Sequence, residues 1–192
     1  MAVDWARTNY AEILGQDPGS FANGSTVYHL KPGVDPPLVL ATVSGSRQFH
    51  VSDSVNVKMN DSVEVTPPGR GLASLLEDQL GGLQNKSVDD LMNLLPRLMS
   101  DDLALAGAVS LNRNGQVVSM AIENSAFASL FSSPTRFAAE KLGCPMTSAV
   151  AVLLARESGG EVTMTCNYSD ETKTVASTFE LLRIPSEPKI DA

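Results

Sequence analysis

Gly143-Cys144-Pro145-Met146-Thr147-Ser148-Ala149-Val150-Ala151-Val152-Leu153-Leu154-Ala155 is the most apolar stretch of the chain, and its reading decides the fold. Gly143 suits the end of one helix, because helices commonly close on a residue of positive φ. Cys144 then falls at the N-cap of a second helix and Pro145 in its first turn, where a missing N–H breaks no bond. The run from Ala149 to Ala155 contains no polar residue, so this helix is built to pack, and it ends at Gly159-Gly160. Downstream, residues 161–167 and 174–182 flank Ser169-Asp-Glu-Thr-Lys173 and predict a hairpin. Upstream, a helical stretch from Ser125 turns Phe127, Leu130 and Phe131 inward, and Ser133-Pro134 restart a helix carrying Phe137, Ala138 and Leu142.

Further upstream, residues 108–113 and 116–123 flank Asn114-Gly115, the strongest short hairpin signal in the chain. Ser87 caps a helix with Asp89 and Asp90 in its first turn, where they complement the dipole. Leu91, Leu94, Leu95 and Leu98 form an i, i+3, i+4, i+7 stripe, and Pro96 predicts a kink or break. The second half therefore reads α-β-β-α-α-β-β, which predicts a four-stranded antiparallel sheet backed by helices on one face.

The first half has another texture. Short β-type runs at 26–30, 38–43, 48–51, 55–59 and 63–65 are separated by turn residues, with Ser44-Gly-Ser46 and Asn60-Asp-Ser62 as hairpin turns. Short helices at 3–14 and 72–80 flank them, and Gly81-Gly82 makes a linker. The fold class is α+β. The expected division is a mainly β unit over 1–83, an α+β domain over 84–183 and a loose tail over 184–192.

Composition narrows the function classes. Hydrophobic residues at 43% and charged residues at 19% of 192 are enough for a core. The 22 acidic and 14 basic residues give a formal charge of −8, a balance that repels phosphate backbones and argues against a nucleic-acid partner. The N-terminus has no basic stretch leading into an apolar one. The longest apolar run is about a third of the ~20 residues that span a bilayer. No membrane is expected as a partner, and the chain reads as cytoplasmic.

Cys144 is the most chemically suggestive position. A thiol at a helix N-terminus meets unpaired N–H groups and the positive end of the dipole, which lower its pKa. The plainer reading is a buried cysteine acting as a small hydrophobe. Cys166 shares a strand face with Val162 and Met164 and reads as core. His29 and His50 are isolated from the cysteines and from each other, so no metal site is expected. Thr66-Pro-Pro-Gly-Arg-Gly71 lacks the residues of a phosphate loop and reads as a rigid turn. Phe127, Phe131, Phe137, Cys144, Met146, Met164 and Cys166 converge where a small apolar ligand would sit, between helices and sheet.

Several of these residues carry a resemblance. Asn124-Ser-Ala126 after a hairpin, Cys144 at a helix start, Gly159-Gly-Glu-Val162 at a strand entry and Cys166 within it resemble the 4-vinyl reductase domain. That family is a small-ligand-binding module of sensory regulators and pigment-biosynthesis proteins. The similarity covers roughly residues 88–183. No second cysteine stands between Cys166 and Phe179, so the metal-ligand pattern of some members is incomplete here. The resemblance implies a ligand-binding role. Three readings are carried forward: a non-catalytic small-molecule-sensing module, a thiol-dependent enzyme or redox switch using Cys144, and a homodimeric assembly protein. The first is the leading expectation, with a homodimer compatible with it; the residues name no cofactor.

Overall fold

The computed structural model of the chain describes residues 26–31, 38–51, 55–132 and 135–182. Apolar–polar alternation and turn residues produce seven strands among them. These are β1 (Thr26–Lys31), β2 (Leu38–Val51), β3 (Val55–Val65), β4 (Ala108–Asn114), β5 (Val117–Glu123), β6 (Glu161–Ser169) and β7 (Thr174–Leu182). The helices are α1 (Arg70–Gln79), α2 (Val88–Arg97), α3 (Arg136–Leu142) and α4 (Pro145–Ser158). The expected helix at 3–14 and the tail at 184–192 lie outside the described residues.

The sheet order is β3-β2-β1-β6-β7-β5-β4, and every neighbouring pair is antiparallel. The α+β class holds, but the expected four-stranded sheet is a correction. Strands β6, β7, β5 and β4 are contiguous as two hairpins should be, and the sheet then continues through β1, which pairs with β6 at Thr26↔Met164 and Tyr28↔Val162. One ladder thus runs across the expected division at 83/84. The physical reason is that β6, with apolar residues on its inner face, would otherwise be an open edge.

The first half also departs from its expected turns. Ser44-Gly45-Ser46 and Asn60-Asp61-Ser62 are not hairpin loops; they lie within β2 and β3, directly opposite each other in the register Ser44↔Ser62, Gly45↔Asp61, Ser46↔Asn60. Ladder hydrogen bonds from both strands outweigh the local turn preference of these residues. The β4–β5 hairpin has a related one-residue shift. Its loop is Gly115-Gln116 rather than Asn114-Gly115, with Asn114 paired to Val117 and Gly115 at φ +61°. A loop with positive φ only at its first central residue is the type II′ pattern, which puts glycine there.

All four helices lie on one face of the sheet. The other face carries alternate residues such as Thr165, Asn167, Ala176, Thr178 and Glu180, all exposed. Helix α4 is the core of the molecule: every residue from Pro145 to Ala155 is buried. A helix without a polar face must be covered all round, and α4 rests on β6, β1 and β7 with α1 packed across it. Each Val or Leu so enclosed contributes about 1.5–3 kcal/mol. The segment Arg136–Ser158 has the length and hydropathy of a membrane span, yet it is two helices broken at Gly143 and 83% of its apolar window is buried within the fold.

Helix α2 keeps its predicted cap and loses part of its predicted stripe. Ser87 accepts from Asp90 N–H while the Asp90 carboxylate accepts from Ser87 N–H at 2.8 Å, a closed capping box. Its buried residues are Val88, Leu91, Met92 and Leu95, whereas Leu94 is 40% exposed. The inward face is rotated from the leucine stripe because valine and methionine share it. Pro96 does not end the helix; it lies in the last turn, and a π-helical turn, Leu98–Asp102, follows. The stretch after Ser125 is likewise shorter than expected, a 3₁₀ turn over Ala128–Phe131.

Candidate functional site

A chain of buried polar contacts marks the joint where α1, α3, α4 and β1 meet. Gly69 N–H donates to Ser148 Oγ at 3.0 Å, Ser148 Oγ lies 3.1 Å from Tyr28 Oη, and Tyr28 Oη donates to the Leu142 carbonyl at 2.5 Å. A carbonyl can only accept, so the single phenolic proton goes to Leu142. Ser148 then accepts from Gly69 and donates its own proton to Tyr28. Every hydroxyl in the relay is satisfied, as burial at 0% exposure for Tyr28 and Ser148 demands. Burial pushes the Tyr28 phenol well above its usual pKa, outweighing the Ser148 bond that opposes it. Gly69 is the reason α1 can enter so close to α4. A Cβ there would lie 2.5 Å from the Pro145 carbonyl oxygen and 2.6 Å from Ser148 C. The Thr66–Gly71 segment is therefore a packing turn, its Gly69 amide spent on Ser148.

The two thiols stand beside this joint. Cys144 is the N-cap of α4, with φ −75° and ψ 170°, as its place before Pro145 predicts. Thr147 Oγ1 donates to the Cys144 carbonyl at 3.1 Å and lies 3.7 Å from its sulfur. The expected fall in its pKa is overturned. Burial raises the Cys144 thiol, and the Thr147 amide and hydroxyl, with the amides of Met146 and Cys144 itself, do not make up the loss of water. Cys166 is pushed up to about 12, by burial first and then by the neighbouring Cys144 charge. Ser177 faces Cys166 across the β6–β7 ladder. Its buried hydroxyl has no hydrogen-bond partner among the described residues, and its nearness opposes the rise of the thiol without overcoming burial. Neither sulfur is a thiolate at neutral pH, and neither is poised as a nucleophile.

The residues expected to line an apolar pocket do come together. Phe127, Phe131, Cys144, Met146, Met164 and Cys166 belong to one core cluster, with Phe137 half-buried against it. Phe131 stacks on Tyr168 with ring centroids 5.0 Å apart, Ser125 Oγ lies 3.7 Å from the Met146 sulfur, and the Met164 side chain lies against Gly143. Exposure of 0–5% for the six makes them packing residues as they stand. His29 Nε2 is 2.9 Å from Thr42 Oγ1 on the adjacent strand. The side chain of His50 lies outside the described set.

An open cleft of about 380 Å³ lies elsewhere, where the start of α2, the β4–β5 turn, the end of α4 and the end of β7 converge. Its lining combines apolar Val88, Leu181 and the exposed Leu182 with polar Arg113, Gln116 and Glu157. Arg113 Nη1 pairs with Asp89 at 3.1 Å and its Nε donates to the Gly115 carbonyl at 2.9 Å, which fixes the guanidinium at the rim. Burial raises the Glu157 carboxyl, opposed by the Arg113 charge and the Val88 amide. A cation and an anion thus face one opening. Sequence reasoning passed over the cleft because it is built from four distant segments; the hairpin turn beside Arg113 and the Ser87 cap carried local signals, but none for a shared opening. No family model, curated protein or solved structure matches the chain.

Proposed function

We propose that this protein is a non-catalytic small-ligand-binding regulatory module, and that its ligand enters the cleft of Arg113 and Glu157 rather than the aromatic and sulfur-bearing core. The observation that carries this reading is the cleft itself. Its volume of about 380 Å³ falls among those of small-molecule sites, and it is an open cleft that presents Arg113 and Glu157 together. The resemblance to the 4-vinyl reductase domain points to a ligand under the helices, but the expected lining residues are packed there as core. The thiol-enzyme reading has the weaker support, since burial holds both sulfurs protonated.

The pairing of a guanidinium with a carboxylate suits a ligand bearing both charges, such as a free amino acid. Its carboxylate would meet the Arg113 N–H groups not spent on Asp89 and Gly115, and its ammonium would meet Glu157. Thermal-shift titration with the free amino acids is the test. At least one should raise the melting temperature, and Arg113→Ala or Glu157→Gln should abolish that rise while the unliganded protein stays folded. If no amino acid shifts the wild type, or if the shift persists in both variants, the reading fails.

A further inference from the structure

Among the described residues strand β4 is the last of the sheet, and its register with β5 shows which backbone groups those residues leave open. Leu181 N–H donates to the Gln116 carbonyl at 2.9 Å, in phase with the β5–β7 pairing Val118↔Phe179 and Met120↔Ser177. In an antiparallel ladder alternate residues point their N–H and C=O to opposite sides. Val118, Met120 and Ile122 therefore bond to β7, and Val117, Ser119, Ala121 and Glu123 bond to β4. They stand opposite Asn114, Asn112, Ser110 and Ala108, and the Glu123 carbonyl accepts from Gly107 N–H at 2.9 Å. The N–H and C=O of Val109, Leu111 and Arg113 consequently point off the edge of the sheet.

The same residues are incompletely covered by side chains. Val109, Leu111 and Arg113 sit on the helix-facing side, opposite Ile122, Met120 and Val118. Those β5 residues are 0–3% exposed, whereas Val109 and Leu111 are only half-buried. Sheet edges that stay single are usually guarded by Pro, Lys or a bulge. Strand β4 has neither Pro nor Lys, and its one charge, Arg113, is tied to Asp89.

We propose that β4 pairs antiparallel with β4 of a second copy of this chain, about a two-fold axis through Leu111. The open backbone groups are self-complementary in that register. Leu111 meets Leu111 of the second copy, and Val109 meets Arg113 of the second copy, each as a hydrogen-bonded pair. The pairing also covers what the edge leaves uncovered, because Leu111 packs on its twin and the aliphatic stem of Arg113 lies over Val109. The two sheets become one continuous sheet with the helices of both copies on the same side.

The experiment is light scattering on the full chain at tens of micromolar, with two variants. The wild type should weigh twice the 20.3 kDa of one chain. Leu111→Pro removes an outward N–H and no β4–β5 bond, so it should give a folded monomer with an unchanged far-ultraviolet spectrum. Leu111→Cys tests the register without relying on proline being tolerated. Its two α-carbons would stand about 5.5 Å apart, a spacing that suits a disulfide. Oxidation should link it into a covalent dimer, and Ser110→Cys, on the opposite face, should not link. A wild type that stays monomeric, or a dimer that survives Leu111→Pro and does not cross-link through Leu111→Cys, overturns the proposal.

Discussion

At the residue scale, burial decides the chemistry of Tyr28, Cys144 and Cys166. A helix N-terminus contributes about 0.3–1 kcal/mol to an adjacent charge at an exposed site, up to about 2 where partly buried. Loss of water around a thiolate costs more than that, so the neutral thiol wins. The sign of the pH dependence follows. In the unfolded chain Cys166 ionises near its ordinary 9.0, whereas in the fold it holds its proton to about 12. The folded state binds more protons across that window, so stability is level below it and falls as pH rises through it. Cys144 and Tyr28, also raised, act in the same direction. Each such group contributes a slope of at most about 1.4 kcal/mol per pH unit. Urea midpoints should therefore fall steadily from pH 9 upward, and Cys166→Ala should make the fall shallower. A wild-type midpoint that is level to pH 10.5 would contradict this account.

At the element scale, the packing of α1 on α4 depends on one missing side chain. Gly69 brings α1 close enough for its amide to reach Ser148, and the Glu77–Arg156 ion pair at 2.5 Å ties the far ends of the two helices. An alanine methyl at Gly69 would press on the backbone of α4 at Pro145 and Ser148, which cannot move aside as a flexible side chain would. Gly69→Ala should accordingly destabilise the protein by about 1–3 kcal/mol, the usual cost of overpacking, read as a lower urea midpoint. An unchanged midpoint would mean that α1 can shift freely over α4. The ends of α4 were open to reading from Gly143, Pro145 and Gly159, because caps are local. Gly143 has φ +73° and Gly159 is left-handed at φ +64°. That Gly69 serves α4 was not open to reading, since nothing near it points to a helix some eighty residues away.

At the scale of the whole molecule, β1 is the piece that joins the two halves, through β6 in the sheet and through Tyr28 to α3 and α4. A fragment of residues 84–192 would leave β6 with an open edge and strip α1 from the apolar back of α4. It should bind a hydrophobic dye and lack a cooperative thermal transition, while the full chain melts in one step. A fragment that folds cooperatively by itself would show the two halves to be independent units. The alternating strands, the helix caps and the α+β class could be read from residue order, because period-2 patterning and cap residues act within a few positions. The turn-like Ser44-Gly-Ser46 and Asn60-Asp-Ser62 misled for the complementary reason: their conformation is imposed by the strand across the ladder. The cleft of Arg113 and Glu157 was invisible in the same way, being assembled from four segments. What the sequence determined alone was therefore the α+β class, the second-half hairpins and the burial of α4. What only the tertiary structure decided was which strand pairs with β6, which glycine admits α1, and whether the dipole or the loss of water governs Cys144. Each of those turns on contacts between residues far apart in the chain, whose distances and solvent exposure exist only once it has folded.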